Sequence, residues 1–112
     1  MKNSVLESHR LLIFNAFAKA KTELRAEKVT YISKSKMAER VSRFLTTNGF
    51  SYGTRSLINL YNDAKAENRT VVIKQTHVIE LLSMYLGHEE FSAFRNHMKE
   101  VEANRINPTT KF

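Results

Sequence analysis

A chain of 112 residues that is 42% hydrophobic, with seven Phe, can bury one core of ordinary size and hardly two, so a single domain is expected. Large apolar residues are spread along it and argue against disorder. The absence of Cys excludes disulfides and thiolate zinc sites, and no stretch approaches the roughly 20 apolar residues of a membrane span. The net charge of +7 is unevenly placed: residues 1–50 hold ten Lys and Arg against four acids, whereas residues 76–112 hold four against five. A local basic excess attracts polyanions, nucleic acid above all.

The first helix is expected from Asn3 or Ser4 to about Glu27. Its short apolar run from Leu11 to Phe14 is preceded by Arg10 and interrupted by Asn15 and Lys19, which fits neither a secretory leader nor an anchor. A soluble, cytoplasmic protein is expected. Leu6, Ile13, Phe17, Ala20 and Leu24 share one face, Val5, Leu12 and Ala16 widen it, and Leu11 and Phe14 lie outside, so this helix needs cover on more than one side. The β-branched and aromatic stretch KVTYIS reads as extended. Ser33 or Ser35 can then cap a second helix with Met37, Val41, Phe44 and Leu45 facing inward and Lys36, Arg40 and Arg43 on another face.

TTNGFSYGT, from Thr46, is turn chemistry, the Asn48-Gly49 pair readily adopting positive φ. A third helix follows from Thr54 to about Ala66, with Leu57, Leu60, Tyr61 and Ala64 inward and Arg55, Asn59 and Asn62 projecting the opposite way. NRTVVIKQ reads as extended, and Thr76 as the cap of a fourth helix with Val78, Leu81, Leu82 and Tyr85, ended by Gly87. A fifth helix spaces Phe91, Phe94, Met98 and Val101 by threes and fours. The tail, residues 107–112, is expected to fray. The fold class is thus all-α, one domain of about five helices over residues 1–106.

In MYLGHEEFSAF, His88, Glu89 and Glu90 resemble a ligand set. Adjacent acids point about 100° apart on a helix, and His9, His77, His88 and His97 have no HExxH spacing, so a helix corner is the better reading and no metal is expected. There is no GxSxG, no Cys and no glycine-rich phosphate loop. Neither a catalytic residue nor a cofactor is expected, and the protein is read as a non-enzyme.

The second and third helices have the layout of a helix-turn-helix: an amphipathic helix, a glycine-containing turn, and a helix with a polar outer face. Arg55, Asn59 and Asn62 have the chemistry to read bases in the major groove of double-stranded DNA. Lys34, Lys36, Arg40 and Arg43 can approach phosphates, and Lys65, Arg69 and Lys74 can extend that contact. Tyr31 and Tyr52 can stack on bases of a single strand, or lie in the core. The turn from Thr46 to Gly53 is longer than the three or four residues of a tight unit.

In VIELLSMYLGHEEFSAF, Ile79, Leu82, Tyr85, Leu86 and Gly87 followed by Phe91 and Phe94 resemble a pattern of small bacterial helical proteins, roughly TLDALAKYLGY and then SWEDF. The upstream RVSRFLTTNGFSYGTRSLINLY is similar to a looser version of the helix and ISESTLRRLFG segment that precede it. The resemblance spans about residues 35–97. Val78 stands where the pattern has a capping threonine, and the stretch between Ser51 and Leu57 needs an extra residue or two to align. It implies a helix-turn-helix-like fold, and a DNA-binding regulator of transcription or an accessory factor of a mobile element. The other expectation is a non-enzymatic interaction module that docks on a protein partner or homodimerises through its long first helix.

Overall fold

The computed structural model describes residues 4–66 and 71–106, which form five helices and no strand. These are α1 (Ser4–Ala26), α2 (Lys34–Thr47), α3 (Thr54–Lys65), α4 (Thr76–Tyr85) and α5 (Phe91–Ile106). The long α1 is the central post, packed by α2, α3 and α4, while α5 leans on α4. Leu12, Ile13, Ala16, Phe17, Ala20 and Leu24 of α1 are buried, and Leu11 and Phe14 pack at the margin of the same core. The wide apolar surface of α1 is therefore covered by the chain's own helices along Leu11 to Leu24. Val5 and Leu6 have side chains outside the described set, as has the 107–112 tail.

Ala38, Val41 and Leu45 of α2, Leu57 and Ala64 of α3, and Val78, Leu81, Leu82 and Tyr85 of α4 complete the core with Phe94 of α5. Met37, Phe44, Leu60, Tyr61, Phe91 and Met98 border it. Val101 departs from expectation at 46% exposed, because α5 continues past the end of the core it meets at Phe94.

Three helices end in the same way. The residue after the cap takes a left-handed turn, and the next N–H bonds back to a carbonyl five residues earlier. Gly49 (φ +90°) and Gly87 (φ +93°) supply that turn for α2 and α4, with Phe50 N–H donating to Leu45 C=O and His88 N–H to Ser83 C=O, both at 3.0 Å. For α1 the residue is Lys28, at φ +64°, with Val29 N–H donating to Leu24 C=O at 3.1 Å.

Ser33 caps α2, its hydroxyl accepting from Lys36 N–H at 3.1 Å. Thr76 does not cap α4: the cap position belongs to Gln75, with no side-chain bond, and Thr76 is the first helical residue. Thr46 and Thr47, read as turn, lie in the last turn of α2, because Gly49 rather than the threonines ends the helix. Other helix ends are satisfied across the fold. Arg10 donates to the Ala64 carbonyl near the end of α3, and Lys19 Nζ to the Tyr85 carbonyl that ends α4, at 2.5 Å. Glu80 of α4 accepts the Phe91 N–H that opens α5, at 2.8 Å. Cations at helix C-termini and a carboxylate at an N-terminus are the favourable pairings for the helix dipole.

Candidate nucleic-acid interface

α2 and α3 pack on one another, joined by residues 48–53. Ser42 Oγ donates to the Tyr52 carbonyl at 2.7 Å, and Tyr52, Phe50 and His77 form a stack, with Phe50 and His77 centroids 5.5 Å apart and nearly parallel. The connection is thus held to α2 on one side and to the first turn of α4 on the other. Tyr52 is half-buried, and that burial pushes its phenol above the usual range.

Leu57 and Ala64 turn one side of α3 into the core, with Leu60 and Tyr61 beside them, so by helical geometry the remaining positions must face out. Those exposed positions are Arg55, Ser56, Asn59, Asn62 and Lys65, every one a cation or an uncharged hydrogen-bonding group. The sole carboxylate of α3, Asp63, is half-buried, and by the same geometry it lies on this side of the helix, four residues after Asn59 and seven after Ser56. On α2, Lys36 and Arg43 are exposed.

Tyr61 organises the middle of this face. Its ring stacks on Phe17 at 4.3 Å and 11° and meets the edge of Phe14 at 5.9 Å, which fixes it against α1. The ammonium groups of Lys34 and Lys65 lie 5.8 and 5.6 Å from its centroid. Lys34 Nζ also donates to Asn62 Oδ1 at 2.6 Å. The beginning of α2 and the end of α3 therefore converge on one aromatic ring, which attracts both cations and lessens their mutual repulsion.

Arg40 has a different setting. Its guanidinium pairs with Glu27 and lies 3.6 Å from Glu23, both near the end of α1, and the bond to Arg40 holds the Glu27 carboxyl below its usual range. Glu23 in turn accepts from the Tyr85 hydroxyl at 2.7 Å. Burial and that bond to Glu23 push the phenol of Tyr85 well upward. Arg40 thus belongs to a network joining α1, α2 and α4. Lys74 is exposed in the extended stretch 71–75, which precedes α4, and Arg69 lies outside the described residues.

Tyr31 is 72% exposed in the linker before α2, and Lys36 Nζ donates to its carbonyl at 3.0 Å. Sequence reasoning left this residue open between core and surface.

His88, Glu89 and Glu90 form no ligand set, and among the described residues no group of three or more His, Asp or Glu is placed to hold a metal. His88 packs edge-on against Phe94 at 5.7 Å and beside His97 at 5.4 Å, as part of the corner between α4 and α5. Among the described residues, no helix is long and apolar enough to cross a membrane.

Comparison with known proteins finds no matching family model, no matching curated protein and no matching solved structure.

Proposed function

We propose that the protein binds double-stranded DNA through α3, with α2 on the phosphate backbone, in the manner of a helix-turn-helix unit. The observation that carries this reading is the outer face of α3: five exposed positions, two of them cationic, three hydrogen-bonding and none acidic. The one acid of α3, Asp63, is half-buried, and on α2 Glu39 is exposed beside Lys36 and Arg43, so the cationic excess of the pair is carried by Lys36, Arg43, Arg55 and Lys65. Arg55 is suited to guanine O6 and N7 and Asn59 to adenine N6 and N7, with Lys36 and Arg43 on phosphates. Lys34 already engages the carbonyl of Asn62, so Asn59 is the freer amide for a two-bond contact with adenine. The partial resemblance over residues 35–97 supports a role in transcriptional regulation or as an accessory factor of a mobile element.

Mobility shifts with duplex and single-stranded probes at low salt test the reading. Duplex binding that Arg55→Ala weakens is expected. No duplex binding at low salt would sink it.

A further inference from the structure

Residues 71–75 carry a feature that helix packing does not use. Val71 and Ile73 are 2% and 3% exposed, Val72 between them is 44% exposed, and Lys74 is exposed as well, which is the two-residue alternation of an extended strand. In such a backbone, successive residues aim their N–H and C=O groups at opposite edges. Ile73 N–H donates to Nδ1 of the buried His9 at 3.2 Å, so one edge faces α1. The N–H and C=O groups of Val72 and Lys74 aim at the other edge and have no hydrogen-bond partner among the described residues. Main-chain groups are rarely buried unpaired, so that edge faces water. It is a short β-edge with three consecutive β-branched residues, the kind of feature folded proteins normally pair or blunt.

We infer that a second copy of the chain pairs with this edge, forming a two-stranded antiparallel ribbon about a two-fold axis at Ile73. The register follows from which groups point outward. Residues 72 and 74 each offer a donor and an acceptor, and a two-fold pairing uses all of them when Val72 lies opposite Lys74 of the second copy and Lys74 opposite Val72, giving four main-chain bonds. The side chains favour a second copy over an unrelated strand. In this register the two lysines never face one another, and each aliphatic Lys74 stem lies across an exposed Val72. Ile73, 3% exposed, keeps its side chain in its own core on the inner face, so the pairing rests on the main-chain bonds and on Val72 and Lys74. A symmetric interface of this kind closes on itself as a dimer. The inference is independent of DNA binding, although a dimer would present two copies of α3 to paired half-sites.

Sedimentation equilibrium of the full chain tests it, at moderate salt so that repulsion between chains of net charge +7 is screened. A reversible monomer–dimer equilibrium is expected. Val72→Lys puts a lysine opposite Lys74 of the second copy, twice per dimer, and should weaken association roughly two- to thirty-fold; Val72→Glu should strengthen it by a similar factor. Val72→Pro removes an edge donor and should abolish the dimer. Should the proline variant fail to fold, as judged by its helical circular dichroism, the Lys and Glu variants, which alter one exposed side chain, decide alone. A chain that stays monomeric at all concentrations overturns the inference, as does a dimer that Val72→Lys and Val72→Glu leave unchanged.

Discussion

Lys34, in the first turn of α2, donates its ammonium proton to Oδ1 of Asn62 on the outer face of α3 at 2.6 Å. The bond spans the two helices proposed to meet DNA and makes their polar side chains unequal. Asn59 is exposed and has no such partner among the described residues, so it is the amide able to give both a donor and an acceptor to adenine. Asn59→Ala should therefore cost about 1–3 kcal/mol of discrimination at one base pair, whereas Asn62→Ala should change sequence preference little. Binding measured against a panel of single-base variants of a selected site separates the two. Equal losses for both substitutions would contradict this division.

Much of the fold was legible because helical periodicity depends only on local spacing: the inward sets of α2, α3 and α4, those of α1 from Leu12 on and of α5 as far as Met98, the glycine endings at Gly49 and Gly87, and a serine cap narrowed to Ser33 or Ser35 lie within a few residues of what they serve. Contacts across the fold were not legible. Nothing near Arg40 in sequence says that it meets Glu27, thirteen residues earlier, because that contact depends on how α1 and α2 cross. Glu80 likewise opens a helix that starts eleven residues later. For the candidate site, the residue types on α3 could be placed from spacing alone, but the Lys34 bond that engages Asn62 could not.

Lys28 occupies a left-handed position at φ +64° that glycine fills at the ends of α2 and α4. A side chain there costs about 1 kcal/mol through crowding of Cβ against the backbone. Lys28→Gly should stabilise the protein by about 0.5–1 kcal/mol, offset in part by the greater freedom of glycine in the unfolded chain. Chemical denaturation measures it, and a loss of stability would contradict the role assigned to Lys28.

His9 is 6% exposed, and its Nδ1 accepts from Ile73 N–H, which requires the neutral ring. Burial, with a smaller contribution from the Arg95 charge, lowers its pKa from the ordinary 6.5. The unfolded chain then binds a proton that the folded one refuses, so the stabilising contribution is complete above pH 6.5 and is lost as pH falls below it. Stability should decline between pH 7 and pH 5.5 with a slope of no more than about 1.4 kcal/mol per pH unit for this group. His9→Gln, which keeps an acceptor but does not titrate, should flatten that decline. An unchanged profile in the variant would assign the slope elsewhere.

At the corner between α4 and α5, Phe94 is 1% exposed, whereas Glu80 supplies only the first bond of α5. Phe94→Ala should cost about 3–5 kcal/mol, Glu80→Ala about 0.5–2 kcal/mol, and His88→Ala less than Phe94→Ala. Thermal unfolding of the three variants gives the order, and a His88→Ala variant as damaged as Phe94→Ala would mean that the corner is held by the imidazole instead.

The central claim is that α2 and α3 meet a nucleic-acid backbone through their exposed cations, and the salt dependence of binding to duplex DNA measures this most directly. Each phosphate neutralised contributes about one unit to the slope of log K against log salt. Replacing Lys36 and Arg43 together with Ala should reduce that slope by about two, while Arg40→Ala, whose guanidinium is paired with Glu27, should reduce it by clearly less than one. Absence of duplex binding at low salt, or a slope that the Lys36 and Arg43 substitutions leave unchanged, would contradict the account.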